Sequence, residues 1–193
     1  FEIATFRKDS EKSDGRRPDS VIFSDAKNDA LRRDFTINGL FFDPIENKII
    51  DYVNGKKDIK KGIVRFIGDP NKRIKEDKLR LLRGVRFGAK FGKIEEKSFK
   101  AIKRNAHKIH SVSKERIQQE LIKMLKICQP RKVIELLFET NLMKEILPEF
   151  YILKGTIQDE KWHPEGDVLQ HTILVMEHLK NQSIENRLQW AKI

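Results

Sequence analysis

The sequence predicts an α+β fold in which a first third with short strands precedes a helical remainder. Short runs rich in strand-forming residues occur in the first third of the 193 residues. From Asp69 onward, apolar residues recur every three to four positions, which is typical of helices that bury one face. Charged residues make up 36% of the chain and hydrophobic residues 38%, so we expect a folded protein with a strongly solvated surface.

Four runs rich in β-branched and aromatic residues predict short strands. These runs lie at residues 1–6, 21–23, 48–52 and 63–67. The polar stretch at 7–20 has almost no apolar side chain and predicts a loop, and the polar stretch at 54–61 predicts a turn. Between the second and third strands, residues 27–41 predict a helix.

The remainder of the chain predicts a series of helices. Asp69 followed by Pro70 supplies an N-cap and a proline suited to the first helical turn. The predicted helices cover 78–91 and 94–106, begin at Ser113 and at Pro130, cover 167–179, and begin again at Ile184. We expect three regions, which are the end of a strand-containing head at 1–60, a helical neck at 61–127 and a helical body at 128–193.

The charge balance favours a polyanionic partner. The chain has 40 Lys and Arg residues against 29 Asp and Glu residues, a formal net charge of +11. This excess points to a partner such as nucleic acid, although a lineage rich in lysine would give the same number. Cys128 stands alone, so a reducing, cytoplasmic setting is the simplest expectation. No apolar run approaches the ~20 residues that cross a bilayer, so we expect no membrane partner.

The two ends predict that the chain is a piece of a longer protein. It begins at Phe1, without an initiator methionine and inside a predicted strand. It ends at Ile193, inside a predicted helix. Residues that complete a functional site are therefore expected before and after the chain.

Residues 32–38, Arg-Arg-Asp-Phe-Thr-Ile-Asn, combine two guanidiniums, a carboxylate and an amide. On the predicted helix, Asp34 and Asn38 share a face and Arg33 lies one step away. Such a set suits a nucleoside triphosphate, because guanidinium groups match phosphate oxygens and a carboxylate accepts from a ribose hydroxyl. A buried core is not expected from these polar groups, and an ordinary solvated helix face is the alternative.

Residues 32–38 resemble the RRDFTxN motif of the class II tRNA nucleotidyltransferases and their bacterial poly(A) polymerase relatives. Seven consecutive positions match, which makes the motif specific. Further blocks resemble the same family in the family's order along the chain. These blocks lie at 2–7, 14–18, 68–73, 76–80 and 113–121. The resemblance runs from residue 1 to about 127 and implies a partial nucleotidyltransferase head followed by an all-α neck and body.

The resemblance implies template-independent addition of C and A, or of A alone, to the 3′ end of tRNA or another RNA, with CTP and ATP as substrates. It implies that Arg33, Asp34 and Asn38 contact the triphosphate and ribose. It also implies that Glu2 is a catalytic carboxylate that binds Mg²⁺. The paired aspartates that share this magnesium site in the family are expected before Phe1. We therefore expect the piece on its own to be inactive.

Asp77 and Arg80 form a second group that can be argued from chemistry. Cytosine and adenine both present an amino donor beside a ring-nitrogen acceptor. A carboxylate and a guanidinium three residues apart on one helix face can meet both groups, whereas guanine and uracil would leave the hydrogen bonds unmet. The two residues also match the family's base-selecting positions, and Glu76 is spaced to orient Arg80. An ordinary salt bridge on a solvated helix is the alternative.

Several alternatives stay open in the sequence. The resemblance does not separate CCA addition, addition of A alone and poly(A) synthesis, although the retained block at 14–18 argues against an enzyme restricted to CC. Residues 163–172 resemble the start of an HD-type metal phosphohydrolase domain, in which His171 would be the first metal ligand. A histidine with a structural hydrogen bond is the alternative at this position. A metal phosphohydrolase and a non-catalytic RNA-binding protein therefore remain competing functions.

Overall fold

The computed structural model describes residues 5–9 and 21–179. Glu2, most of the strand predicted at 1–6, the block at 14–18 and the helix predicted from Ile184 lie outside the described residues. The described part of the chain has the predicted α+β architecture, with short paired strands followed by a helical assembly. None of its helices combines the length and the apolar character that a membrane span requires.

Short strands pair two by two within the described residues. The antiparallel pairs are β1 (Arg7–Asp9) with β2 (Val21–Phe23) and β3 (Leu40–Asp43) with β4 (Lys48–Asp51), and the parallel pair is β5 (Ile63–Val64) with β6 (Lys93–Ile94). The strands predicted at 21–23, 48–52 and 63–67 are confirmed in position, although the last is shorter than expected. The start of the stretch predicted as a loop at 7–20 belongs to β1, so that prediction is wrong there.

The helices of the described residues account for most of the structure. They are α1 (Ala26–Arg32), α2 (Gly55–Lys61), α3 (Pro70–Glu76), α4 (Arg80–Phe91), α5 (Glu96–Asn105), α6 (Lys114–Ile127), α7 (Pro130–Glu139), α8 (Leu142–Ile146), α9 (Pro148–Tyr151) and α10 (Val168–His178). The predicted starts of α3 and α10 are confirmed, because Asp69 and Asp167 accept a hydrogen bond from a backbone N–H in the first turn of each helix. The short helices α8 and α9 were not predicted.

The helix predicted at 27–41 is wrong in its second half. α1 ends at Arg32, and after an extended stretch the chain makes a short 3₁₀ turn at Thr36–Asn38 before β3. Phe35 sets this path, because its backbone forms an isolated antiparallel bridge with Phe66 and its fully buried ring lies 4.5 Å from the Phe66 ring. Pairing and ring packing with a distant segment therefore override the local helical pattern.

The turn predicted at 54–61 is instead the helix α2. Asp51 stabilises the start of this helix from outside it. Its carboxylate accepts hydrogen bonds of 3.0 Å from the backbone N–H groups of Val53, Gly55 and Lys56. Gly55 allows the helix to approach the 3₁₀ turn closely, since a Cβ at this position would lie 2.2 Å from the carbonyl oxygen of Thr36. The polar composition of the segment hid the helix from the sequence pattern.

The helix predicted at 78–91 begins at Arg80, two residues late. Asp77 has extended backbone angles, with φ −146° and ψ 111°, and separates α3 from α4. Ile74 and Leu79 on the two sides of this break are both buried, so the bend lets both helices reach the core. The prediction that Asp77 and Arg80 share one helix face is therefore wrong, because the two residues lie on either side of a helix break.

The helix α4 lies at the centre of the described structure. Leu81, Leu82 and Val85 are fully buried, and α4 packs against α6 and α7. A Cβ at Gly84 would lie 2.6 Å from the side chain of Ile102, so the small residue permits close approach of α5. The N-terminal end of α4 consequently has a fixed position beside the segment that follows α1.

Candidate nucleotide-binding site

The segment after α1 and the α3–α4 break are joined by guanidinium groups. The carbonyl oxygen of Arg32 accepts hydrogen bonds from Arg73 Nη1 at 3.1 Å and from Arg80 Nη2 at 3.3 Å. Arg80 Nη1 also donates to the carbonyl oxygen of Arg73 at 2.9 Å. The two polar groups that the sequence singled out, at 32–38 and 76–80, are therefore neighbours in the fold.

Asp34 is buried, with 6% of its surface exposed, which contradicts the expectation that this polar group stays out of the core. Its Oδ2 accepts from Arg83 Nε at 2.6 Å, and its Oδ1 accepts from Asn38 Nδ2 at 2.9 Å and from the Phe35 N–H at 2.8 Å. The expected proximity of Asp34 and Asn38 is thus confirmed, but the 3₁₀ turn brings them together instead of a helix face. These three bonds compensate the burial of the carboxylate.

Arg33 is the more exposed arginine of the motif. Its Nε lies 3.0 Å from Asp29 Oδ2, its Nη1 donates to the carbonyl oxygen of Asn38 at 2.8 Å, and its guanidinium lies 4.9 Å from the centre of the Phe41 ring. An arginine has five N–H donors, and these bonds use two of them. The guanidinium is therefore oriented while it keeps donors for an anionic ligand.

Asp77 and Arg80 both remain partly accessible, with 22% and 13% of their side chains exposed. Asp77 Oδ1 accepts from the Leu79 N–H at 3.0 Å, and its Oδ2 accepts from Arg116 Nη2 at 3.0 Å. The expected contact between Glu76 and Arg80 is confirmed, since Arg80 Nη1 donates to Glu76 Oε2 at 2.7 Å. The orientation of the Asp77 carboxylate is thus fixed by Arg116, and that of the Arg80 guanidinium by Glu76.

Sequence reasoning missed Arg83 and the pairing of Arg116 with Asp77. A usable signal existed for Arg83, because Arg80, Arg83 and Arg86 recur every three residues and must project from neighbouring turns of α4. Arg86 reaches the buried Glu120 on α6 and so ties that helix to α4. No local signal pointed to the partner of Asp77, since 39 residues separate it from Arg116.

A magnesium site is not assembled by the described residues of this region. Glu2 lies outside them, and the carboxylates of Asp29, Asp34, Glu76 and Asp77 each face a guanidinium. Mg²⁺ prefers several free carboxylate oxygens and water molecules. Among the described residues, this region therefore presents guanidinium groups and no cluster of three free carboxylates.

His171, the candidate metal ligand of the sequence, lies in a different part of the described structure. Its Nδ1 is 2.5 Å from Glu165 Oε1, and His163 Nδ1 is 3.2 Å from the same oxygen. The pKa of Glu165 is lowered to about 2 by its own backbone N–H and by the hydrogen bonds from His171 and His163. All three residues lie in the stretch 163–172, for which the sequence predicted a metal-binding role of His171 alone.

Short paired strands followed by a helical assembly, with arginines bonded across their junction, fit a nucleotidyltransferase-type protein. The family described as the poly A polymerase head domain matches residues 1–65, and the family described as the probable RNA and SrmB-binding site of polymerase A matches residues 93–153. The chain belongs to the family of the CCA-adding enzymes and the bacterial poly(A) polymerases.

Curated relatives carry both names. The chain is 38% identical over 204 residues to the CCA-adding enzyme of Ligilactobacillus salivarius (strain UCC118). The aligned part covers 98% of the chain and 48% of the relative. It is 36% identical over 160 residues to poly(A) polymerase I of Escherichia coli O6:H1. This alignment covers 77% of the chain and 34% of the relative. The chain thus spans half or less of the length of these relatives.

A solved structure of the Bacillus stearothermophilus CCA-adding enzyme in complex with CTP shares the fold. It matches with a TM-score of 0.64 and 34% sequence identity, over 72% of this chain and 33% of the solved chain. The nucleotidyltransferase head and helical body that the sequence predicted are therefore confirmed as the fold.

Proposed function

We propose that the protein containing this chain adds C and A, or A alone, to the 3′ end of tRNA without a template. The observation that carries the proposal is the junction at which Arg80 and Arg83 donate to Arg32 and Asp34, with the partly exposed Asp77 just before Arg80 in the chain. A carboxylate, several guanidiniums and an amide suit the base, triphosphate and ribose of one nucleotide. The CCA-adding relatives support this assignment, and one of them was solved with CTP.

Base selection would use Asp77 as acceptor and Arg80 as donor. The guanidinium of Arg80 is held by Glu76 and by two carbonyl oxygens, so its remaining N–H donors have a defined direction. A carboxylate has about four lone-pair sites, so Asp77 can hold Arg116 and still accept from an exocyclic amino group. A wrong base that leaves one buried group unmet costs about 1–3 kcal/mol, which corresponds to roughly five- to 160-fold selectivity.

Triphosphate and ribose would be bound by the segment at 32–38. Arg33 keeps donors for phosphate oxygens and is fixed by Asp29. Asn38 and the buried Asp34 would act together, Asn38 towards the ribose and Asp34 as the group that orients both Asn38 and Arg83. Asp34 therefore supports the site through its neighbours as much as through a direct contact.

The chemical step requires a metal-binding carboxylate, and Glu2 is the proposed candidate in this chain. Mg²⁺ bound there would supply activation of the RNA 3′-hydroxyl and neutralisation of the leaving pyrophosphate. The division into a head at 1–60, a neck at 61–127 and a body at 128–193 is part of the same proposal. So is a cytoplasmic location, with tRNA, ATP and CTP as partners.

The test of the function is nucleotide incorporation by the purified, full-length protein with Mg²⁺ and tRNA that ends before, or within, the CCA sequence. We expect CTP to extend the first substrate and ATP to complete a tRNA that ends in CC. Long A tails on any RNA would identify the poly(A) polymerase alternative, which a 36% identical relative favours. Incorporation of GTP or UTP as fast as CTP, or no incorporation, would contradict the proposal.

Replacement of Asp77 tests the residue assignment. In the full-length protein we expect Asp77→Ala to lower the preference for CTP and ATP over UTP and GTP by roughly tenfold or more, because the acceptor for the amino group is lost. The kcat/KM values for the four nucleotides measure this preference, and the midpoint of thermal unfolding checks the fold. Unchanged selectivity in a folded variant would remove Asp77 and Arg80 from the base-selecting role.

A further inference from the structure

The segment from 163 to 171 brings two imidazoles and one carboxylate together. Oxygen or nitrogen ligand atoms of His163, Glu165 and His171 all lie within 4.8 Å of one another. Within the described residues, this is the group of histidine and carboxylate side chains whose geometry fits a metal ion. We propose that His163, Glu165 and His171 form a three-ligand site for a divalent transition metal such as Zn²⁺ or Co²⁺.

The donor set decides the class of metal. Neutral imidazole nitrogen and a single carboxylate oxygen suit Zn²⁺, Co²⁺ and related ions, whereas Mg²⁺ and Ca²⁺ require mostly oxygen ligands. In a tetrahedral zinc site with bonds of about 2.0–2.1 Å, ligand atoms lie about 3.3–3.4 Å apart. His163 Nδ1 and Glu165 Oε1 already have a separation of 3.2 Å. A bound metal would require His171 Nδ1 and Glu165 Oε1, now 2.5 Å apart, to separate by about 0.8 Å, and ligand atoms up to 4.8 Å apart to come closer.

The backbone holds the three residues on a fixed frame. His171 lies in the first turn of α10, whose buried Leu169 and Ile173 attach the helix to the body. Gly166 has φ +118°, which favours glycine, and its N–H donates to the carbonyl oxygen of His163 at 3.3 Å, in the turn that places Glu165 beside His171. The start of α10 and the turn before it therefore place the three side chains next to one another before any metal binds.

The cap of α10 also joins the segment to the preceding chain. Asp167 Oδ1 accepts from the Gln170 N–H at 2.9 Å, and its Oδ2 accepts from the Gly155 N–H at 2.7 Å. These bonds fix the start of the helix next to Glu165. The His163 and His171 rings meet edge to face with their centres 4.8 Å apart, so both nitrogens approach the carboxylate from different directions.

The site is open to solvent on one side. The side chains of His163, Glu165 and His171 are 34%, 20% and 40% exposed. Three protein ligands and an accessible fourth position are typical of metal sites that also bind water or an external ligand. A pair of histidines that merely form ion pairs with Glu165 is the competing explanation, and it predicts no metal binding.

The experiment is titration of the purified, full-length, EDTA-treated protein with Co²⁺, followed by the visible d–d absorption bands and by competition with Zn²⁺. We expect one equivalent to bind with the strong bands of low-coordinate Co²⁺, which an oxygen-ligand site such as the one proposed at Glu2 does not give, and Zn²⁺ to displace it. His163→Gln, Glu165→Gln and His171→Gln should each weaken Co²⁺ binding at least tenfold. Zn²⁺ should raise the thermal unfolding midpoint of the unmodified protein and not of these variants.

His110→Gln is the matched control. His110 Nε2 lies 2.7 Å from Glu145 Oε2, so it forms a histidine–carboxylate pair without joining the proposed site, and its loss should leave Co²⁺ binding unchanged. Two results would overturn the proposal. One is the absence of specific Co²⁺ binding, which supports simple ion pairs. The other is binding that depends on His171 but survives in folded His163→Gln and Glu165→Gln variants, since His171 would then bind metal with other partners.

Discussion

At the scale of single residues, the candidate site consists of charged groups that fix one another across long stretches of sequence. Asp34 is paired with Arg83, 49 residues away, and Asp77 is paired with Arg116, 39 residues away. The motifs allowed Asp34 and Asp77 to be selected as candidates because the residue types suit nucleotide chemistry. The spacing of Arg80, Arg83 and Arg86 marks Arg83 as a candidate, but the pairing of each carboxylate with its arginine could not be predicted, because such pairs depend on how helices pack.

Arg116 is expected to act as a positioning residue through Asp77. In the full-length protein, Arg116→Gln removes the guanidinium that holds Asp77 Oδ2 at 3.0 Å, so the carboxylate loses its fixed direction towards a base. A hydrogen bond to a charged group contributes about 1.5–3 kcal/mol, and partial exposure of this pair places the effect at the lower end, roughly tenfold. We expect that loss in the ratio of kcat/KM for CTP to kcat/KM for UTP.

Lys114→Gln supplies the control for this substitution. Lys114 is exposed at the start of the same helix. Its replacement by Gln removes the same charge as Arg116→Gln but leaves the Arg116–Asp77 pair in place. We expect its selectivity ratio to equal that of the unmodified protein. If both variants lower the rates for all four nucleotides equally, Arg116 acts through net charge, and the positioning role is wrong.

At the scale of secondary structure, the sequence predicted the elements that carry local signals. α3 and α10 begin at an aspartate cap, and α7 begins at Pro130, each of which is visible in a few consecutive residues. The extension of α1 to residue 41 failed because the backbone of Phe35 forms an isolated bridge with the distant Phe66. α2 was missed because its start depends on Asp51, which lies four residues before Gly55 and caps the helix from outside it.

Asp51 should make the stability of α2 depend on pH. Burial raises the pKa of this carboxyl, but backbone N–H donors around the start of α2 outweigh burial and hold the pKa below its usual value of 3.8. A pKa that is lower in the folded state stabilises the fold above about pH 4, and this contribution is lost as the pH falls through the folded pKa. We therefore expect Asp51→Asn to lower the free energy of unfolding by about 1 kcal/mol at pH 7 and by less near pH 3.

Denaturant unfolding of the purified protein at the two pH values measures this difference. Glu46→Gln is the control, because Glu46 is an exposed carboxylate in the turn between β3 and β4 and caps no helix. We expect its unfolding free energy to stay close to that of the unmodified protein at both pH values. An Asp51→Asn effect of equal size at pH 7 and pH 3 would show that the amide replacement disturbs packing and that the charge contributes nothing.

At the scale of the whole molecule, we expect some of the positively charged helices to contact RNA and others not. The net charge of +11 is spread over the chain, and a lysine-rich composition alone explains it equally well. However, the match to an RNA-binding family covers residues 93–153, which include α5 but not α2. Both helices carry exposed lysines, so they separate a general charge effect from a specific contact surface.

Three exposed lysines of α5, Lys97, Lys100 and Lys103, are expected to contact RNA phosphates. Neutralising all three to Gln should weaken tRNA binding at low salt. It should also make the salt dependence shallower, because each lost phosphate contact removes about 0.7–0.9 from the slope of log K against log salt concentration. Affinity for tRNA measured between about 50 and 200 mM KCl gives both quantities.

The corresponding triple change on α2 decides between the two explanations of the charge. Lys56, Lys57 and Lys60 are also exposed, and their conversion to Gln lowers the net charge by the same three units. If α5 forms part of an RNA-binding surface, the α5 variant loses up to about two to three units of slope while the α2 variant keeps the original slope. Equal slopes and affinities for the two variants would mean that the lysines act only through the overall charge. A specific contact surface on α5 would instead lose phosphate contacts only in the α5 variant, because the α2 variant leaves that surface intact.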